Sequence, residues 1–206
     1  MAERKYGEPA PPTTSTVRGE DWYGRTLAGE QYRRVEFVDV DMAEITTENA
    51  VFDECSFRGV AFNLSAHTNS GFLNCTFSAC SFFDATFTGC KLTGSMFDGC
   101  TYSLLKVSGG DWSFVGLPGA DLRGTSFREL RMREVDLTGA RCQKATFRDI
   151  DLSGAWLTKA DFSDSDLRGS DISALDPLNV EVSRAVIDPD QAITLAFTLG
   201  LKVLPG

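Results

Sequence analysis

One histidine in 206 residues is little material for catalysis. The chain has no Gly-x-x-x-x-Gly-Lys phosphate loop, no Gly-x-Ser-x-Gly elbow and no Cys-x-x-Cys pair. Phosphate-loop, α/β-hydrolase and zinc-ribbon chemistry therefore lack their usual residues. No catalytic residue, metal ligand, cofactor site or small-molecule substrate is assigned. Apolar runs of membrane-spanning length are absent, and residues 1–20 lack the apolar core of a secretion signal, so a cytoplasmic protein away from the membrane is expected. Bases are scarce, 20 against 29 acids for a formal charge of -9, which argues against direct binding of nucleic-acid phosphates. With 42% hydrophobic and 24% charged residues the chain is globular rather than disordered.

Phenylalanine, by contrast, is abundant and placed by rule. Counting in fives from Trp22 to Ile172 gives a column in which only Thr47 and His67 are polar, and it holds 12 of the 15 Phe residues. Two residues earlier in each unit runs a second, mostly small column, including Val40, Ala50, Cys55, Cys75, Cys80, Cys90, Cys100 and Ala140. Five is neither the helical nor the strand period, so something resets the phase in every unit. Residues two apart on an extended segment share a side, which puts one large and one small residue of each unit inside. The other three turn the chain, and Gly at many last positions supplies the backbone freedom for it. The predicted fold is an all-β solenoid of short parallel segments. The period alone does not choose between three and four sides.

Units such as Ala120-Asp-Leu-Arg-Gly124, Ala160-Asp-Phe-Ser-Asp164 and Ser165-Asp-Leu-Arg-Gly169 resemble the A(D/N)LXX motif of the pentapeptide-repeat family. That resemblance implies a right-handed quadrilateral β-helix of 20-residue coils, here about eight, with a C-terminal α-helix. The segment Ile187 to Leu201 is similar to the C-terminal dimerisation helix of the family's mycobacterial fluoroquinolone-resistance branch. Its own residues specify a helix: Asp188 to cap it, Pro189 in its first turn, Gln191 to complete a capping box and Gly200 to end it. The expected division is 1–20 as a disordered extension, 21–187 as repeat with a degraded last coil from 173, and 188–206 as dimerisation module. Ala192, Ile193, Ala196, Phe197 and Leu199 are expected to cover the last coil, with Ile193, Phe197, Leu199, Leu201 and Val203 forming a homodimer interface.

His67, on the inward column, reads as a hydrogen-bonded core residue, and the cysteines as reduced packing residues in the small slot. Acids recur just before the large residue, among them Asp21, Asp41, Asp111, Asp121, Asp136, Asp151, Asp161, Asp166, Asp171, Asp176 and Glu181. Taken by themselves they are solvated surface charge. The resemblance implies more: a DNA-mimicking rod that binds DNA gyrase, at its ATPase subunit, and protects it from fluoroquinolones. Asp111, Asp121, Asp136, Asp151, Asp161 and Asp171 are then the gyrase-facing candidates. The alternative is a scaffold or partner-binding module with no topoisomerase target. Residues 55–120 carry no net charge, and outward Leu73, Phe83, Met96 and Phe114 mark a possible second patch there. The Arg128, Arg148 and Arg168 column is expected to pair with neighbouring acids. The unbroken register leaves no room for the projecting loops some gyrase-protecting members have.

Overall fold

The structure, a computed structural model, describes residues 11–204. From Gly19 to Gly169 every fifth residue takes a positive φ, so the chain turns a corner once per unit. Four such sides make one coil, because every parallel pairing joins residues 20 apart. On one side Ser15–Arg18, Val35–Val38, Ser56–Arg58, Thr76–Ser78 and Met96–Asp98 form a five-stranded sheet. A second side stacks seven strands from Thr26–Ala28 to Thr146–Arg148 and continues through bridges at Asp166 and Val186. A third begins as three strands, Gln31–Arg33, Val51–Asp53 and Gly71–Leu73, and continues as single bridges to Asp171. The fourth is bridges only, from Asp21 to Thr101 and again from Asp121 to Glu181, with no bridge between Thr101 and Asp121.

The two inward columns are the core. Phe37, Phe57, Phe77, Met132 and Leu137 are at most 1% exposed, and most of the small slots are buried too, Val35, Cys100 and Ala120 being half-buried. A polar or sulfur atom in a small slot has a defined task. Cys75 Sγ donates to Phe52 O at 3.3 Å and Cys90 Sγ to His67 O at 3.3 Å, as Ser95 Oγ does to Phe72 O at 2.6 Å. Each bond ties a coil to the one before it, which explains why cysteine and serine interchange there. All six cysteines are free thiols, and burial pushes that of Cys90 up to about 11.

One expected boundary changes. The strand Ser15–Arg18 pairs in register with Val35–Val38, so residues that the sequence reading gave to a disordered extension belong to the first coil. Val17 lies five residues before Trp22 and packs against the core. Residues 1–10, the rest of that extension, lie outside the described residues. At the other end the last coil is irregular, as expected: Ala174 and Asn179 lack the positive φ of the earlier corners and Lys159 N donates to Asn179 O out of step, while Asp161 still bridges Glu181 and Asp166 bridges Val186.

The helix runs Pro189–Thr198 with the expected capping box. Gly200 N donates to Phe197 O and Leu201 N to Ala196 O, closing it through a left-handed glycine (φ +78°). What covers the last coil is not what the sequence suggested. Gln191 is buried and its amide donates to Leu167 O and Ser170 O, both at 2.7 Å, while Asp188 accepts from Gly169 N at 2.9 Å. Leu195 packs on the core, whereas Ile193, Phe197 and Leu199 face solvent. Two polar side chains thus satisfy Leu167 O, Ser170 O and Gly169 N at the open end of the coil.

Candidate functional site

The acids of the repeat have a local role that fixes where they sit. Asp21, Asp41, Asp111, Asp121, Asp136, Asp151, Asp161, Asp166, Asp171 and Asp176 each accept, through one carboxylate oxygen, the backbone N–H two residues on. Glu181 does the same for Ser183 N. This side-chain turn competes with extended backbone and selects a tight corner. None of the strands in the three sheets has Asp before its central residue; every Asp in that slot is followed by a tight turn.

The six gyrase-facing candidates therefore point outward at corners, but on three sides of the coil. Asp111, Asp151 and Asp171 share one side, where Arg131 stands between the first two; Asp121 and Asp161 share another, separated by Arg141; Asp136 is on a third. Several are ion-paired. Asp121 is held by Arg123 at 2.7 Å and Arg141 at 2.9 Å, Asp151 by Arg133 at 2.5 Å, and Asp111 by Arg131 at 3.3 Å. The Arg123 bond is the main reason the Asp121 carboxyl lies below the ordinary range. Burial opposes ionisation of Asp151, yet the Ser153 and Arg133 bonds outweigh it and hold that carboxyl low as well. The candidates thus place negative charge on several sides of the rod rather than in one acidic stripe. In the arginine column, Arg168 forms a two-pronged bond with Asp166, and Arg148 lies 4.0 Å from the same carboxylate.

His67 is fully accounted for. Its Nε2 lies 3.0 Å from Ser65 Oγ, which donates to Phe62 O at 2.7 Å, and its Nδ1 lies 2.9 Å from Thr47 Oγ1, which donates to Ser70 Oγ at 2.9 Å. The ring stacks on Phe87 at 4.5 Å, and burial lowers its pKa to about 3, leaving a neutral imidazole with both nitrogens occupied. Among the described residues no group of three or more His, Cys, Asp or Glu is arranged to hold a metal ion, and no helix is long and apolar enough to cross a membrane.

The dimer candidates lie together at the C-terminal end and are open: Ile193, Phe197, Leu199, Leu201 and Val203 are all between 42% and 59% exposed. Of the expected middle patch, Phe83 and Phe114 are exposed, while Leu73 and Met96 are half-buried. Two residues the sequence reading passed over, Leu64 and Leu104, are as exposed as Phe83. Writing the chain in rows of 20 puts all three at one corner.

Residues 117–154 and 145–176 match the model of the pentapeptide repeats. The same five-residue register runs through the described coils on both sides of that stretch, so the chain is a β-solenoid with one corner every five residues, and the matched stretch is similar to that family. Among named proteins it is similar to Pentapeptide repeat protein MfpA of Mycobacterium tuberculosis, 34% identical over 105 residues, 51% of this chain and 55% of that protein. Its counterpart in Mycolicibacterium smegmatis is 46% identical over 50 residues, 24% of this chain and 26% of that one. The matches thus span about half and about a quarter of these relatives. Among solved structures, full-length QnrB1, a plasmid-mediated fluoroquinolone resistance protein, aligns over 90% of this chain and all of its own, with 19% identity and a TM-score of 0.43. HetL of Nostoc sp. strain PCC 7120, a pentapeptide repeat protein involved in heterocyst differentiation regulation, aligns over 85% and 84% with 17% identity and a TM-score of 0.39.

Proposed function

We propose that the protein is a cytoplasmic, dimeric mimic of duplex DNA that binds DNA gyrase, at the ATPase subunit, and protects it from fluoroquinolones. The observation that carries the reading is the C-terminal helix. It is latched to the last coil through Asp188 and Gln191, which leaves Ile193, Phe197, Leu199 and Leu201 unpartnered at the very end of the rod. Apolar surface so placed fits a second copy related by a twofold axis. One rod spans eight coil steps between Thr26 and Val186, about 38 Å at roughly 4.8 Å per step, and a pair spans about 75 Å. The similarity to MfpA supports the same assignment.

Charge is the weaker half of the mimicry. A duplex of that length carries about 22 negatives at one per roughly 1.7 Å, against a net 9 here. Duplex DNA is, however, negative all round, and so is a rod whose acids occupy three sides. Shape and end-to-end dimerisation then do most of the recognition. The scattered, paired acids are also what a scaffold with another partner would show. A supercoiling titration of purified gyrase with and without a fluoroquinolone tests the choice. Expected are inhibition and drug protection by the wild type, both weakened in a folded, monomeric Phe197→Asp, Leu201→Asp variant. A wild type without effect at micromolar concentration overturns the gyrase reading in favour of the scaffold.

A further inference from the structure

The corner between the bridge-only side and the seven-stranded side carries an apolar ridge for which the fold has no use. Leu64 and Leu104 are corner residues two coils apart, and Phe83 stands between them, one residue before the corner residue Asp84, which is paired with Lys106; the three are 49%, 53% and 45% exposed, with Leu64 N bonded to Phe83 O at 2.8 Å. Leu64 and Leu104 also hold φ of +58° and +62°, a conformation in which a branched side chain costs about 1 kcal/mol over glycine. Leu64 and Leu104 are thus unfavourable twice, by backbone conformation and by exposed apolar surface, and Phe83 by exposed surface alone. Positive φ is common to every corner from Gly19 to Gly169; what sets this one apart is exposed apolar surface on three successive coils, which points to binding.

The ridge runs into a hollow. One coil beyond Leu104 the corner residue is Gly124, with nothing within 4 Å of where its Cβ would be, and the surface dips into an open concavity of about 820 Å³. Thr101, Ser103, Asp121, Arg123, Arg141 and Lys144 line it. Three cations face one acid there, and Asp121 already occupies two of the arginines. In a chain of net charge -9 this hollow is locally positive.

We propose that this corner is a docking site for a protein segment whose apolar side chains lie on Leu64, Phe83 and Leu104 and whose carboxylates, just beyond them, enter the hollow toward Lys144, the cation there that Asp121 does not hold. The site is independent of the gyrase reading and of the dimer end. Charge complementarity selects an acid-ended apolar segment over a basic one, and a ridge of three coils suits a short amphipathic helix.

The positive φ makes the test clean, because Leu64→Gly and Leu104→Gly remove the apolar groups while relieving strain. The probe is a short synthetic helix with one leucine-rich face and two glutamates at one end, read by fluorescence anisotropy against the full chain. A lysine-ended version serves as control. Expected is binding of the glutamate-ended helix at least tenfold tighter than the control. The double glycine variant should weaken it about tenfold with an unchanged or raised unfolding midpoint, and Lys144→Gly should erase the preference for glutamate over lysine. Equal binding of the two helices, binding indifferent to the glycine variant, or none below millimolar concentration would each overturn the proposal. So would a shift of the chain's own oligomeric state in the glycine variant, which would make the occupant a second copy.

Discussion

Up to Trp112 the solenoid is filled mainly by rings; beyond it, mainly by branched and straight aliphatic chains. Phe37, Phe57, Phe77 and Phe97 stack at 4.9, 4.8 and 4.6 Å, within 8° of parallel, and Tyr32, Phe52 and Phe72 at 5.0 and 4.8 Å. Past the junction Leu117, Leu122, Met132, Leu137, Leu152, Leu157, Leu167 and Ile172 take the same positions, with one ring stack, Phe127 on Phe147. The coil step is close to the preferred distance between offset rings, so a phenylalanine column fits it without adjustment. Extended sides predominate in the first region and tight corners in the second. The fillers are not the cause: Asp21 and Asp41 sit in the ring region, beside Trp22 and Met42, and still make tight corners. A coil of this kind accepts either filler so long as each corner has an acceptor or a permissive residue. Asp is sufficient for this but not required, since Asn63 of the preceding coil accepts Phe83 N in its place.

The junction itself is imperfect. Phe97 and Trp112 stack at 6.4 Å, Trp112 Nε1 is buried without a partner, and Phe82, Phe87, Tyr102 and Phe127 help to line an apolar void of about 10 Å³. Gly110, at φ +97°, passes so close to Cys90 that a Cβ would sit 2.8 Å from its N and closer still to its O. Gly110→Ala should therefore have the largest effect of any single methyl, roughly 5 kcal/mol or loss of folding, because backbone cannot move aside as a side chain can. A loss under about 1 kcal/mol by urea unfolding would show that the two regions are not locked together there.

Next in size, Phe77→Ala should cost roughly 4 kcal/mol, since the ring is stacked on both faces, and Leu137→Ala nearer 3 kcal/mol. An equal or reversed order would remove the distinction between ring and aliphatic filling. His67 tests the ring region by pH. Its folded pKa, about 3, lies below an unfolded value near 6.5. Its contribution is thus complete above pH 6.5 and is lost as pH falls from there toward 3. Between pH 7 and 4 the wild type should lose about 3 kcal/mol more than His67→Phe; parallel losses would mean the imidazole already charges in the fold. Smallest is the corner test in the aliphatic region: Asp151→Ala should cost about 1 kcal/mol, and Asp151→Asn, which keeps the oxygen that accepts Ser153 N, close to nothing. If Asn were as costly as Ala, charge rather than turn geometry would be holding that corner.

The coil was legible in the column from Trp22 to Ile172 because each large residue has one place to go. The first coil was not, because residues 11–20 look polar and proline-bearing even though Val17 continues the column. The acids were found but their task was not: an outward carboxylate and a turn-closing one occupy the same slot, and only the bond to the amide two residues on separates them. Their spread over three sides was implicit in numbers differing by 5, 10 or 15 instead of 20. Gln191 was recognised as half of a capping box, while its hold on Leu167 and Ser170 depends on the helix folding back, which no local pattern announces.

The 20-residue step also sets how the molecule yields to tension. Each coil of the wall is bonded only to the coil before and the coil after it, so a pull on the N-terminus loads one rung at a time. The far end is pinned by the Gln191 clasp. Such a chain unspools like thread from a bobbin, each event paying out 20 residues, roughly 70 Å of slack at full extension. It can rewind from whatever coil remains, since the exposed rung is the template for the next.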